Sequence, residues 1–95
     1  MVIDFTREAF LPFVNTRFRV PDKSVEIELI EARDLGSTPR QEQFSLLFRG
    51  PLDALLSQKT YRVEHDRVEP FDLFLVPVKK DEKGFYYEAV FNRFL

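Results

Sequence analysis

The sequence predicts an all-β domain of about six antiparallel strands, forming a small barrel or sandwich, with one short helix before the first strand. Apolar and polar residues alternate with period two over most of the chain after residue 16, which is typical of strands with one buried face. Turn residues separate these segments at short intervals, which favours antiparallel hairpins. The length of 95 residues fits one domain, residues 1–95, with a modest core.

The composition is that of a globular chain whose core is built from aromatic residues. Hydrophobic residues make up 44% and charged residues 32% of the sequence, and eleven Phe and three Tyr are present. A buried Phe contributes about 1.5–3 kcal/mol relative to an exposed one. A small domain needs such bulky side chains to bury enough apolar area.

A short helix is predicted near residue 6. Thr6 is a good N-cap, and Phe5 is placed to pack on Phe10 as a hydrophobic staple. Pro12 limits the length of the helix, and Asn15 suits a left-handed turn position. We expect this helix to cover one end of the barrel or sandwich.

The first half of the chain predicts three strands. Alternation runs through residues 17–20 and, after a turn, through residues 25–29. It shifts around residues 30–32, which predicts a bulge or a change of sheet. Phe44, Leu46 and Phe48 form the next apolar face. We expect a helical turn at residues 52–56, after this strand ends at Gly50 and Pro51.

The sequence of the second half predicts a meander of three strands. Tyr61, Val63 and His65 share one face of the fourth strand, and a turn is predicted at residues 66–70. Pro77 indicates that the fifth strand is at an edge, bulged or ending there. Residues 79–84 form a charged hairpin loop before the last strand. In the fifth strand the predicted inward residues are Phe71, Leu73 and Leu75, and the outward residues are Asp72, Phe74 and Val76.

Charge and cysteine content narrow the classes of partner. The formal net charge is −2, whereas binding to a phosphate backbone normally needs a basic surplus, so we expect no nucleic-acid partner. Phe18 between Arg17 and Arg19, and Tyr61 beside Arg62, would be the best candidates for a base-stacking platform. The chain has no Cys, which excludes disulfides and thiolate metal sites. No signal peptide and no membrane segment are recognisable, so we expect no membrane partner.

The search for catalytic chemistry finds no convincing site. His65 is the only histidine, and without Cys or a second His only carboxylates remain to complete a metal site. Glu26 and Glu28 lie on the outward face of a predicted strand, where a solvated surface is the simpler interpretation. No nucleophile elbow or phosphate-binding glycine loop is present. We therefore expect a protein that is not an enzyme, with no catalytic residue, no cofactor and no metal.

Two features favour an interaction role. Residues 71–78 are apolar on both faces apart from Asp72, and a strand of this kind needs cover on both faces. Residues 91–95 end with two further large apolar side chains. Either the N-terminal helix covers this surplus or another protein, including a further copy of the chain, does. The predicted contact residues are Phe74, Val76, Phe94 and Leu95.

Two other functions remain open from the residues alone. A small-ligand or carbohydrate-binding domain would place Tyr61, Arg62, His65 and Tyr86 around a pocket at one face of the sheet. A hydrolase would use His65 with nearby carboxylates.

Four strings stand in a specific order and spacing: FSLLFRGP at residues 44–51, Gln58-x-x-Tyr61-x-x-Glu64-His65, LFLVP at residues 73–77 and YEAVFN at residues 87–92. With Phe10-x-Pro12-x-Val14 and Phe18, they make nearly the whole chain similar to a small bacterial domain family of unknown function. Asn15 stands where that family would have Gly, and Asn can keep the same turn.

The resemblance implies no catalytic residues. Members of this family are often encoded near phage-tail-like proteins of the collar type. The resemblance thus implies a tail-associated or assembly role, located in the cytoplasm or within a phage-derived particle. Fold-level similarity alone would not establish the function.

Overall fold

Six strands, one turn of α-helix and two 3₁₀ turns make up the fold in the computed structural model, which describes residues 1–95. The α-helix, α1, spans Arg7–Phe10, and the 3₁₀ turns span Leu11–Phe13 and Pro21–Lys23. The strands are β1 (Arg17–Val20), β2 (Val25–Asp34), β3 (Gln41–Gly50), β4 (Lys59–His65), β5 (Val68–Asp81) and β6 (Gly84–Phe94).

All neighbouring strands are antiparallel, and they close into a barrel in the order β1-β2-β3-β6-β5-β4. The longest ladder joins β3 to β6, from the Gln41–Phe94 pair to the Gly50–Phe85 pair. The ring closes between β1 and β4 through the single residue pair Arg19–Glu64. The predicted all-β class, the strand number and the short helix before β1 are therefore confirmed.

The core lies inside the barrel and follows the predicted alternation. It is a cluster of 21 buried residues. Phe44, Leu46 and Phe48 of β3 are fully buried, as predicted. The inward residues of the two strands that follow are also buried; they are Tyr61, Val63, His65, Phe71, Leu73 and Leu75.

The segment before β1 closes one end of the barrel, as the sequence predicts. Thr6 Oγ1 accepts a hydrogen bond from the backbone N–H of Ala9 at 3.1 Å, which confirms the N-cap. The rings of Phe5 and Phe10 lie 6.5 Å apart. Asn15 has φ of 69° and donates its backbone N–H to Leu29 O at 2.7 Å. This left-handed residue turns the chain from the helical segment into β1.

Residues 51–58 close the other end, and here one prediction is wrong. The expected helical turn at residues 52–56 is absent, and an irregular segment with one tight turn takes its place. Hydrogen bonds to two core tyrosines hold it: Leu56 N–H donates to Tyr87 Oη at 2.8 Å, and Tyr61 Oη donates to Ser57 O at 2.7 Å. The first of these bonds is long-range and the second joins residues four apart, and both satisfy backbone groups that a helical turn would otherwise pair.

Register shifts interrupt three of the ladders. The shift predicted around residues 30–32 occurs between Leu29 and Glu31, and a second one follows Pro77 in the ladder of β5 with β6. A third shift lies in the ladder of β4 with β5, between Val63 and His65. The predicted turn at residues 66–70 is wrong in its length. The turn contains only Asp66 and Arg67, and Pro70 lies within β5. Pro70 is tolerated there because the ladder is already interrupted beside it.

Strands β5 and β6 separate along part of their length, and this separation positions the candidate site. Their ladder ends at the Val76–Glu88 pair. Beyond this pair, β5 continues with β4, and β6 continues with β3. The N-terminal segment enters the gap from the inner side: the ring of Phe5 lies 5.8 Å from those of both Phe71 and Phe91.

Candidate interaction surface

Four apolar side chains project from the outer surface where β5 and β6 separate. Phe74 and Val76 belong to β5, and Val90 and Phe94 belong to β6; together they form what we call the β5–β6 face. Phe74 is 51% exposed, Val90 54% and Phe94 82%, while Val76 is half-buried. Single exposed apolar residues are ordinary on protein surfaces, whereas a contiguous group typically marks an interaction site.

The pairing register explains why these side chains share a face. Paired residues of an antiparallel ladder point to the same side of the sheet, and Val76 pairs with Glu88 on the outer side. Two residues further along each strand, in the same direction, lie Phe74 and Val90. Phe94 follows on β6 at the same parity as Val90, four residues beyond it.

The neighbouring outward positions of β3 are polar but uncharged. The register places Ser45 opposite Val90, Gln43 opposite Asn92 and Gln41 opposite Phe94. The charged pair of this region, Arg93 and Glu42, lies on the opposite face of the same strands, with Arg93 Nε 3.8 Å from Glu42 Oε1. A partner approaching the outer face therefore meets no fixed charge along this part of β6.

Backbone direction along the end of β6 follows from one hydrogen bond. Leu95 donates its backbone N–H to Arg40 O at 2.9 Å. In an antiparallel ladder, successive residues direct their backbone groups alternately to one side and the other. The odd-numbered residues at the end of β6 therefore bond to β3, and the even-numbered residues direct N–H and C=O away from β3.

This end of β6 consequently has an open edge. The ladder with β5 stops at Glu88, so the even-numbered residues beyond it have no strand beside them. None of the ten backbone hydrogen bonds that lie outside the helices and strands involves their backbone groups. The open edge of β6 consists of Val90, Asn92 and Phe94.

The structure places the four predicted contact residues as follows. Phe74 and Val76 lie at outward positions of β5, Phe94 lies at an outward position of β6 four residues beyond Val90, and Leu95 follows directly after β6 with 64% of its surface exposed. The alternative that the N-terminal helix covers these residues is wrong, because Phe10 of that helix packs on the inner rings of Phe44 and Phe71 instead.

Sequence reasoning missed Val90 and Asn92 as members of this surface. Alternation already placed Val90 on the outward side of the last strand. No local signal reveals that β5 leaves β6 at this point, and this separation is what exposes both residues.

His65 is a structural residue in this arrangement. Its Nδ1 accepts the backbone N–H of Arg67 at 3.1 Å, which leaves Nε2 to donate to Thr16 Oγ1 at 3.0 Å. Thr16 Oγ1 in turn donates to Phe13 O at 2.6 Å. The ring packs against Phe13 and Phe18, and burial lowers the pKa of His65, with the nearby Arg67 charge adding to the effect. Both ring nitrogens are thus engaged in holding the fold.

The four residues of the predicted ligand pocket lie in separate environments. Tyr61 and His65 are inside the barrel, whereas Arg62 points outward and its Nε lies 3.1 Å from Asp72 Oδ1. Tyr86 is covered on the outer side by Lys79, whose Nζ lies 4.5 Å from the ring centre. None of the four lines either of the two main clefts of the molecule.

One cleft, with a volume of about 840 Å³, lies beside β2 and the start of the 51–58 segment. Its walls carry both signs of charge. Arg17 Nη1 lies 3.6 Å from Glu26 Oε1, and Arg49 Nη2 lies 3.5 Å from Glu28 Oε1. Only three of its 13 lining residues are hydrophobic, unlike the mainly apolar lining of typical small-molecule sites.

Comparison with known proteins gives one match. A family model described as "Domain of unknown function (DUF6916)" matches residues 5–91. No curated protein and no solved structure matches the chain. Among the structural features, no helix is both long enough and apolar enough to span a bilayer.

Proposed function

Since the chain belongs to the family described as Domain of unknown function (DUF6916), which assigns no activity, we propose a function from the geometry of its surface: a non-enzymatic protein-interaction or assembly module. The contact surface is the β5–β6 face together with Leu95. The observation that carries this proposal is the coincidence of exposed apolar side chains with an open strand edge on the same part of β6.

The edge lacks three of the features that normally keep strand edges from pairing, although the N-terminal segment lies in the gap beside it, with Phe5 between Phe71 and Phe91. Natural edge strands are protected by Lys or Pro residues, by bulges or by a covering segment. Val90, Asn92 and Phe94 include neither a charge nor a proline, and the ladder with β3 runs through them without a bulge. Such an edge is suited to accept an added strand, whose backbone supplies hydrogen bonds while the apolar side chains supply buried area.

The biological setting we propose is a phage-derived particle. Support comes from the resemblance to a family whose members are often encoded near tail-collar-like proteins. A role in assembly requires no catalytic group in this chain.

The proposal is tested by measuring molar mass with light scattering, for the chain alone and mixed with the proteins encoded beside it. We expect a complex with at least one of these proteins or with further copies of the chain. The Phe74→Asp and Phe94→Asp variants should weaken that complex at least tenfold, because each buries a charge in the apolar contact.

Leu55→Asp is the matched control, since Leu55 is 59% exposed and lies in the segment at the other end of the barrel. It introduces the same chemical change away from the surface and should leave the complex intact. An unchanged mass for the Phe74→Asp, Phe94→Asp and Leu95→Asp variants, alone and in every mixture, would overturn the proposal.

A further inference from the structure

We infer that the cleft beside β2 binds a neutral ligand rich in hydroxyl groups, of the chemical class of the saccharides. The cleft lies on the outer side of β1, β2 and β3, at the end of the barrel that residues 51–58 close. It shares no residue with the β5–β6 face. The inference therefore goes beyond the proposed function and does not depend on it.

Three connections from distant parts of the chain meet around this cleft. They are the turn between β1 and β2 with Lys23, the 51–58 segment with Asp53, and the turn of the β5–β6 hairpin with Lys83. The hairpin packs so closely on the end of β3 that a Cβ at Gly84 would lie 2.2 Å from a backbone oxygen there. Binding sites are commonly built in this way, from loops that a rigid sheet holds in place.

One side of the cleft is a row of charged side chains across three strands. The register places Arg17 of β1, Glu28 of β2 and Arg49 of β3 side by side. Glu26 lies two residues from Glu28 on the same outer face. Arg49 Nη2 lies 3.5 Å from Glu28 Oε1, and the pair of Arg17 with Glu26 is separated by 3.6 Å. Both separations exceed the about 2.7–2.9 Å of a charge-assisted hydrogen bond, so these ion pairs leave their donors and acceptors uncommitted.

Partial burial makes the uncommitted groups of one pair costly. Only 30% of the Arg49 side chain and 25% of the Glu28 side chain are exposed. Charged groups that lose most of their contact with water normally gain close hydrogen bonds in exchange. Neither side chain takes part in a side-chain hydrogen bond of the fold. A ligand that offers both acceptors and donors at this point would supply the missing bonds.

The loop residues add uncommitted groups of both kinds. Lys23 and Lys83 have no carboxylate within 4 Å of their ammonium groups, and Asp53 has no basic group within 4 Å of its carboxylate. These three charged groups also form no side-chain hydrogen bond. The cleft therefore offers donors from four basic side chains and acceptors from three acidic ones.

This combination selects a neutral, hydroxylated ligand. An anion would meet the three carboxylates and a cation the four basic groups, and like charges at close range are unfavourable. An apolar ligand is disfavoured because only three of the 13 lining residues are hydrophobic. A hydroxyl group both donates and accepts hydrogen bonds, so a saccharide can bond to both kinds of side chain at once. Neighbouring hydroxyl groups also match the paired nitrogens of Arg and the paired oxygens of a carboxylate.

The size and lining of the cleft set the expected affinity. Its volume of about 840 Å³ lies within the range of ligand sites in proteins. No aromatic ring is among the lining residues, so hydrogen bonds rather than ring stacking supply the affinity. Each of these bonds replaces a bond to water and contributes little net free energy. We therefore expect millimolar dissociation constants for single sugars and tighter binding for a chain of several sugars.

Two-dimensional amide NMR provides the test. The probes are glucose, galactose, mannose, N-acetylglucosamine, maltotetraose and chitotetraose, each titrated through the millimolar range. We expect at least one of them to shift the amide signals of residues 23–28 and 49–54 in a saturable manner. The amide signals of β4, which does not line the cleft, should stay unchanged.

Variants of the loop residues locate the ligand. Asp53→Ala and Lys83→Ala each remove one exposed charged group without changing a strand ladder, and each should weaken binding at least fivefold. Glu82→Ala is the matched control, because it removes an exposed carboxylate next to Lys83 that does not line the cleft. It should bind the sugar as the natural chain does. A tenfold rise in NaCl concentration should leave the affinity unchanged, since a neutral ligand forms no ion pair.

Sodium phosphate and glycylglycine serve as anionic and zwitterionic probes. Stronger binding of either one at the cleft than of every sugar would overturn the inference, as would the absence of saturable shifts with all six sugars. Unchanged affinity in both Asp53→Ala and Lys83→Ala would show that the sugar binds elsewhere, which also overturns it. None of these variants alters the β5–β6 face, so each of these outcomes leaves the proposed function to its own test.

Discussion

At the scale of single residues, His65 is a histidine whose two ring nitrogens both form hydrogen bonds that stabilise the fold. The side chain links β4 to the segment before β1 through Thr16, and it accepts the N–H of Arg67 within its own hairpin turn. Protonation of Nδ1 would break the second bond and place a charge between two phenyl rings and near Arg67. These contacts explain why the folded state lowers the pKa of His65 from its ordinary value of 6.5.

This lowered pKa predicts a pH dependence of stability. The unfolded chain binds a proton at His65 below about pH 6.5, whereas the folded chain does so only at lower pH. The free energy of unfolding should therefore be constant with respect to His65 above pH 7 and fall as the pH drops from 6.5 toward the folded pKa. Urea unfolding at pH 7.5 and pH 5.5 measures this change, which should be smaller in His65→Gln. An equal change in both proteins would contradict the prediction.

Two tyrosines allow a matched comparison of a hydroxyl group in a buried hydrogen bond and one in a partly buried hydrogen bond. Tyr87 Oη accepts the buried N–H of Leu56, whereas Tyr86 Oη donates to the exposed carboxylate of Asp81 at 2.9 Å. Removing the first hydroxyl leaves a buried donor without a partner, which costs about 1–3 kcal/mol. Tyr87→Phe should lower the free energy of unfolding by this amount, and Tyr86→Phe by less than 1 kcal/mol. Denaturant titration gives both values. A larger loss of unfolding free energy for Tyr86→Phe than for Tyr87→Phe would show that the Tyr87 hydroxyl is not the more important acceptor.

At the scale of elements, alternation predicted most of the strands because it reports directly which side chains face the core. The inward residues of β3, β4 and β5 are those that the pattern indicated. The boundaries failed where long-range contacts replace local ones. Leu56 is held by Tyr87 across the barrel rather than by a helical turn, and Pro70 sits in a bulge that only the pairing of β4 with β5 creates.

The candidate site, too, could be predicted only where local sequence patterns determine the structure. Phe74, Val76 and Phe94 could be identified from the sequence because each is apolar at an outward position. The open edge could not be identified, since it depends on β5 leaving β6 at Val76 while β6 stays with β3. Strand partners of this kind are set by packing far along the chain, here by Phe5 between Phe71 and Phe91.

The hairpin of β5 and β6 depends on a close approach at Gly84. A Cβ at this position would lie 2.2 Å from the backbone oxygen of Gly50. Because backbone cannot move aside as a side chain can, Gly84→Ala should cost at least about 1–3 kcal/mol of stability. Gly36→Ala is the control: Gly36 has φ of 106° but nothing within 4 Å of a Cβ, so only conformational strain of about 1 kcal/mol applies. Thermal unfolding should rank Gly84→Ala as the less stable variant, and the reverse order would refute the argument.

At the scale of the whole molecule, the barrel is unevenly closed. The β3–β6 ladder extends over the full length of β3, whereas β1 and β4 share only the Arg19–Glu64 pair. Arg19 Nη1 also lies 2.7 Å from Asp66 Oδ1, but Asp66 is exposed, and such ion pairs contribute little. The barrel therefore has a weak seam on one side and its most extended ladder on the other.

This asymmetry predicts where the molecule opens. Local openings require few bonds to break at the seam and many at the β3–β6 ladder, so amide protons of β1 should exchange with solvent much faster than those of β3 that bond to β6. Hydrogen exchange followed by mass spectrometry or NMR measures both rates. In 1 M salt, which weakens exposed ion pairs, exchange in β1 should rise further while exchange in β3 stays constant. Faster exchange in β3 than in β1 would contradict this order. The open edge of β6 belongs to the slow side, so a partner strand would bind a preformed template, and association should proceed without opening of the barrel.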